Sequence, residues 1–173
     1  MIKLILAVVI GAVVVVVVMQ NVSTSTESSS TEETTTEKIT VSISGEVNKI
    51  GTYYVETGAT LSDLIAAAND VTSNADSNAY NLDYILKDNQ SFYIAPIYKT
   101  GETCSQVPIT KVNVNTATQE ELVTINGIST SLATNIISYR TNTGQFERLE
   151  DLMEVKSIGN AVFTKMRDYC TLK

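Results

Sequence analysis

Hydrophobic positions divide the chain into four stretches with different periods. Leu4 to Met19 is an unbroken apolar run that ends in six consecutive valines and Met19. It sits at the short end of what a spanning helix needs, roughly 17–25 residues. Ser23 to Glu37 contains only Ser, Thr and Glu; with nothing to bury, it is expected to be a disordered tether reaching roughly 20 Å as a flexible coil. From Ile39 the period becomes two: Ile39, Val41 and Ile43 alternate with Thr40, Ser42 and Ser44, the mark of a half-buried strand. A turn at Lys49-Ile50-Gly51 and a second strand at Tyr53-Tyr54-Val55 make a hairpin. Thr60-x-x-Asp63 is a capping box opening a helix with Leu61, Leu64, Ile65 and Ala68 on one face, and a last strand at Phe92-Tyr93-Ile94-Ala95 stops at Pro96.

The final stretch is helical and repeats after thirty residues: Ile125-Asn126-Gly127-Ile128-Ser129 recurs as Val155-Lys156-Ser157-Ile158-Gly159. Each copy lies between two short predicted helices. The first pair opens on a capping box, Thr118-x-x-Glu121; its second helix carries Leu132, Ala133, Ile136 and Ile137 and ends at Gly144, where glycine is favoured. The second pair begins around Glu150-Asp151-Leu152 and ends on a helix carrying Val162, Phe163, Met166 and Tyr169. The expected fold class is therefore α+β: a single N-terminal transmembrane helix (1–22), a tether (23–37), a small β-grasp domain (38–99), a linker (100–110) and an all-α tandem helix-hairpin-helix domain (111–173).

Charge sharpens this division. The formal net charge is −7, which by itself argues against a polyanion partner. Residues 110–173 nevertheless balance, with Lys111, Arg140, Arg148, Lys156, Lys165, Arg167 and Lys173 against Glu120, Glu121, Glu147, Glu150, Asp151, Glu154 and Asp168. The acidic excess lies entirely upstream, so any polyanion belongs to the C-terminal part. Lys3 precedes the apolar run and Glu27 is the first charge after it, a bias that places the N-terminus in the cytoplasm and the rest outside. The rival is a cleaved signal peptide, but Gln20-Asn21-Val22-Ser23 offers no Ala-x-Ala-like site.

There is no histidine, which excludes a His-based triad or zinc site, and the two cysteines, Cys104 and Cys170, are too few for a Cys-only zinc site. No metal or cofactor is expected. Glu150-Asp151-x-x-Glu154 reads as a helix start with favourable dipole charges rather than a Mg²⁺ cluster, so the chain is not read as an enzyme. Outside the membrane the cysteine pair is expected to form a Cys104–Cys170 disulfide, contributing about 4 kcal/mol in a loop-entropy picture; two free thiols or an intermolecular link are the alternatives.

A tight turn entering a helix leaves backbone N–H groups unpaired. The helix dipole adds partial positive charge there, and the two together make a phosphate site. The candidate DNA-binding residues are Gly127, Ile128, Ser129, Thr130, Ser131 and Arg140 in the first copy. In the second they are Lys156, Ser157, Ile158, Gly159, Asn160, Ala161 and Lys165. Contacts of this kind hold DNA without reading its sequence.

Two resemblances extend the reading. Val41-x-Ile43-x-Gly45-x-Val47, Gly51-x-Tyr53, Leu61-x-x-Leu64-Ile65-x-x-Ala68, Ala75-Asp76, Asn81-Leu82, Asp88 and Tyr93-Ile94-x-Pro96 resemble the SLBB (soluble-ligand-binding β-grasp) family. The chain departs from it at Ile50, usually proline, and at Asn69-Asp70, usually Gly-Gly. That resemblance implies a domain that binds a soluble ligand or polysaccharide, or self-associates. Val112-Asn113-Val114-Asn115-Thr116-Ala117, Glu120-Glu121-Leu122, Gly127-Ile128, Tyr139-Arg140, Gly144-x-Phe146, Glu150-Asp151-Leu152, Val155-Lys156 and Ile158-Gly159 resemble the tandem helix-hairpin-helix domain of ComEA-type competence DNA receptors. That resemblance implies a membrane-anchored extracellular receptor for double-stranded DNA, passing it to a DNA-uptake channel and pilus machinery in natural transformation. The family pattern has Gly-x-Gly in each hairpin; here Ser129 and Ser157 each replace one glycine. It also often has a lysine after each hairpin, where this chain has Leu132 and Ala161. The competing expectation is a surface assembly protein whose β-grasp domain binds polysaccharide or itself.

Overall fold

The computed structural model describes residues 37–98 and 108–173 of the 173. The expected anchor and tether, and Cys104 of the expected disulfide, lie outside the described residues. Among the described residues no helix is long and apolar enough to cross a membrane.

The chain is α+β. In the first half, β1 (Lys38–Gly45) and β2 (Gly51–Glu56) form an antiparallel hairpin with Val41 opposite Tyr53. Helix α1 (Leu61–Ala67) follows, and β3 (Gln90–Ile94) returns parallel to β1, giving the order β2-β1-β3. The alternation in β1 does what its period requires: Ile39, Val41 and Ile43 are buried against Leu61, Leu64 and Ile65 of α1. The α1 box forms as expected, the Thr60 N–H donating to Asp63 Oδ2 at 2.7 Å and the Thr60 hydroxyl at 2.9 Å. These bonds hold the Asp63 carboxyl below its usual range, the backbone bond contributing most. After α1, Asn69 (φ 61°) and Asp70 (φ 74°) both take the left-handed conformation. Asn and Asp are the non-glycine residues that tolerate it.

The second half contains β4 (Val112–Asn113), α2 (Gln119–Val123), α3 (Thr130–Asn142), a 3-10 helix (Leu149–Glu154), α4 (Asn160–Met166), a 3-10 turn (Arg167–Tyr169) and β5 (Cys170–Thr171), which pairs parallel with β4. The element expected as a helix around Glu150 is thus a 3-10 helix. The thirty-residue repeat is a structural repeat. Leu122 and Leu152, Ile125 and Val155, Ile128 and Ile158, Ala133 and Phe163, and Ile136 and Met166 are all buried in one core.

Asn115 closes that core. Its amide donates to the Phe146 and Leu172 carbonyls at 3.0 and 3.1 Å and accepts from the Phe146 N–H at 2.8 Å. One side chain thereby joins the start, middle and end of the helical half. Asn115→Ala leaves three half-buried backbone groups without these partners. An expected loss of about 2–4 kcal/mol, read as a lower urea midpoint, checks this.

The described parts of the two halves pack against each other. Residues Thr36–Lys173 form one compact unit. Ala79 and Ala95 of the first half belong to the helical core. The Leu172 N–H donates to the Asn78 carbonyl at 2.8 Å, and Lys111 Nζ lies 3.3 Å from the Asp76 carboxylate. The described end of the expected linker is also packed: Ile109 is buried, with its N–H on the Ile97 carbonyl at 2.9 Å. Alternation and periodicity mark faces within each half, but not that the two cores meet. Cys170 is fully buried and has no disulfide partner among the described residues, its Sγ lying 3.2 Å from the Met166 carbonyl oxygen; burial pushes its pKa up to about 12.

Candidate nucleic-acid interface

Each hairpin is built by the same backbone bonds. The Ile125 N–H reaches the Leu122 carbonyl and Ile128 N–H the Ile125 carbonyl, both at 3.1 Å; Val155 reaches Leu152 at 3.2 Å and Ile158 reaches Val155 at 3.0 Å. The buried isoleucine pins the turn to the core, and the residues on either side of it are exposed: Asn126, Gly127, Ser129, Thr130 and Ser131 in the first copy, Lys156, Ser157, Gly159, Asn160 and Ala161 in the second. Gly127 (φ 91°) and Ser157 (φ 71°) occupy equivalent left-handed positions. Glycine holds that conformation freely; serine holds it under strain.

Several expected site residues change role. The N–H groups of Ile128 and Ile158 are used inside the turn, so they do not face a ligand. The Ser129 hydroxyl oxygen accepts from the Leu132 N–H at 3.3 Å, acting as an N-cap of α3 and occupying one donor of the first turn. Gly159 opens α4 with no side-chain cap. The amides of Thr130 and Ser131, and of Asn160 and Ala161, precede the first intrahelical acceptors and lie on exposed residues.

The basic side chains also sort themselves. Arg140 donates from Nη1 to the Val114 carbonyl and from Nη2 to the Ala117 carbonyl, both at 2.7 Å. It ties down the lead-in segment rather than reaching outward. Arg140→Lys replaces a two-pronged donor with a point charge. It is expected to lower the thermal midpoint while leaving the salt dependence of DNA binding unchanged, which paired melting and titration measurements check. Arg148 pairs with Asp151 at 2.6 Å and lies 5.3 Å from the centre of the Tyr84 ring. Arg167 lies 3.6 Å over the Tyr93 ring.

That leaves Lys156 and Lys165, both exposed, at the hairpins. Lys156 is part of the second hairpin. Lys165, on α4, crosses to the first: a side-chain carbon added at Gly127 would lie 3.6 Å from Lys165 Cβ. Asn135, thirty residues before Lys165, makes the reciprocal crossing and donates from Nδ2 to the Lys156 carbonyl at 3.0 Å. No local motif marks Asn135; its equivalence to Lys165 in the thirty-residue repeat is the signal in the sequence that points to it. The Tyr139 ring stacks on Phe146 at 5.0 Å, and its hydroxyl donates to Glu154 Oε2 at 2.6 Å, a bond that pushes the phenol up to about 12.

Known proteins share this half and more. The helix-hairpin-helix motif family matches residues 107–171. An uncharacterized protein of Haemophilus influenzae is 42% identical over 59 residues, covering 34% of this chain and 53% of its own length. The endonuclease/exonuclease/phosphatase family domain-containing protein 1 of Danio rerio is 38% identical over 61 residues, 35% of this chain but only 11% of that protein. ComE operon protein 1 of Bacillus subtilis extends much further, 36% identical over 146 residues, 79% of this chain and 71% of that one. A match of that reach takes in the sheet-bearing half as well as the repeat, and the chain belongs to the family of ComE operon protein 1.

Proposed function

We propose that the protein is a membrane-anchored extracellular receptor that binds double-stranded DNA without sequence preference and serves DNA uptake in natural transformation. One observation carries the reading: two hairpins of matching backbone and burial pattern, each presenting exposed first-turn amides beside one exposed lysine, Lys165 at the first and Lys156 at the second. Amides and lysines meet phosphate, not base edges, so binding is indifferent to sequence. In this reading residues 1–22 are the anchor, with a cytoplasmic N-terminus, and 23–37 the tether. The SLBB-like half contributes support and self-association, and the DNA passes to an uptake channel and pilus machinery. No catalytic step is assigned.

The test is a titration of the full-length chain with unrelated duplexes across a salt series. Equal affinities are expected, with log K falling against log salt by about 0.9 per phosphate bound. Absence of binding at low salt, or a strong preference for one sequence, sinks the proposal.

A further inference from the structure

Tyr93, on β3, touches both arms of the second hairpin. Its N–H donates to Glu150 Oε1 on the 3-10 helix that leads into that hairpin. Its ring lies 3.6 Å beneath the Arg167 guanidinium, at the end of the helix that leads out. Its hydroxyl donates to Asp168 Oδ1 at 2.6 Å. The three handles differ in chemistry and converge on one residue of the sheet-bearing half. The first hairpin is built differently, its α2 and α3 packing mainly on each other and on the repeat.

We infer that Tyr93 is a positioning residue for the second hairpin, fixing the spacing of its two arms so that the sheet-bearing half sets one of the two phosphate grips. The inference rests on the DNA reading above. A hairpin held at both ends presents the Asn160 and Ala161 amides and Lys156 in one arrangement, and binding then has little ordering to oppose it. With the clamp removed, the 3-10 helix and α4 keep their apolar packing, Leu152 and Phe163 included, but their relative placement loosens.

The test uses the full-length chain and a plain duplex. Tyr93→Leu removes the ring face and the hydroxyl; Tyr93→Phe removes the hydroxyl alone and serves if the leucine variant does not fold. The expected result is weaker binding, with the salt slope reduced by about 0.9 for each phosphate no longer held, and a smaller decrease for phenylalanine. Each is then combined with a change in one hairpin. With Gly159→Val the effects should overlap, because both disable the second hairpin; with Ser129→Val, at the equivalent position of the first hairpin and off α4, they should add. A general loss of stability would not produce that difference. Unchanged affinity in both Tyr93 variants, or effects that add with Gly159→Val, overturns the inference and leaves the DNA reading standing. Failure of the unaltered chain to bind overturns the DNA reading instead.

Discussion

Replacing Glu150 with glutamine should make the protein about 3 kcal/mol more stable at pH 8 and change it little at pH 4. Glu150 is buried where the two halves meet. Burial raises its carboxyl from 4.5 to about 7, although hydrogen bonds from its own backbone amide and from Tyr93, and the Arg148 charge, pull the other way. Because the folded pKa lies above the unfolded one, the native state binds the proton more tightly. The group's contribution is fully present below about 4.5 and is lost as pH rises through about 7. The separation of the two values is worth about 3 kcal/mol at 1.36 per unit. Glutamine keeps an oxygen for the Tyr93 N–H and carries no charge to desolvate. Asp63 runs in the opposite sense: its lowered pKa contributes stability that is lost only as pH falls below the ordinary carboxylate range, so the two windows separate. Urea midpoints of both proteins from pH 4 to 8 decide the matter; parallel curves would show that Glu150 does not titrate across that range.

The largest effect on binding is expected from Gly159→Val. At φ −94° and ψ −179° Gly159 has extended backbone that any residue adopts, and a side chain there would enter open space. The fold should survive, with a cost of about 1 kcal/mol for a poor N-cap. The same side chain adds bulk next to the Asn160 and Ala161 amides, where the proposed phosphate would approach. Affinity for duplex DNA at low salt should fall at least about tenfold, with the salt slope smaller by about 0.9 per phosphate no longer held. Gly127→Val is the poorer probe, because φ 91° makes any side chain there strained by about 1–3 kcal/mol, which confuses folding with binding. Undiminished binding by a folded Gly159→Val protein would remove the second hairpin from the site. The helical half alone is not a sound reagent for either experiment, since Ala79 and Ala95 complete its core.

Much of the site was legible because its information is local. A turn followed by a helix start is recorded in a few consecutive residues. The thirty-residue repeat therefore located both hairpins, and the Thr60 and Thr118 boxes opened α1 and α2 where expected. Charge was the weaker guide. Counting made seven basic residues of the last third equivalent, but Lys111, Arg140, Arg148 and Arg167 each have a partner within the protein. A cation's availability depends on what lies opposite it in space, and the pairs Lys111–Asp76 and Arg167–Tyr93 span long stretches of chain.

The sequence by itself determined the α+β class, the half-buried strands, the capped helices and the paired hairpins, because each follows from propensity and period over a few residues. The tertiary structure alone decided that the two halves pack on each other through Ala79 and Ala95, that the Arg140 guanidinium is held by the Val114 and Ala117 carbonyls, that Lys165 lies against the opposite hairpin, and that Glu150 is buried. Those facts depend on residues distant in the chain meeting in space, which a local pattern of polar and apolar positions does not encode.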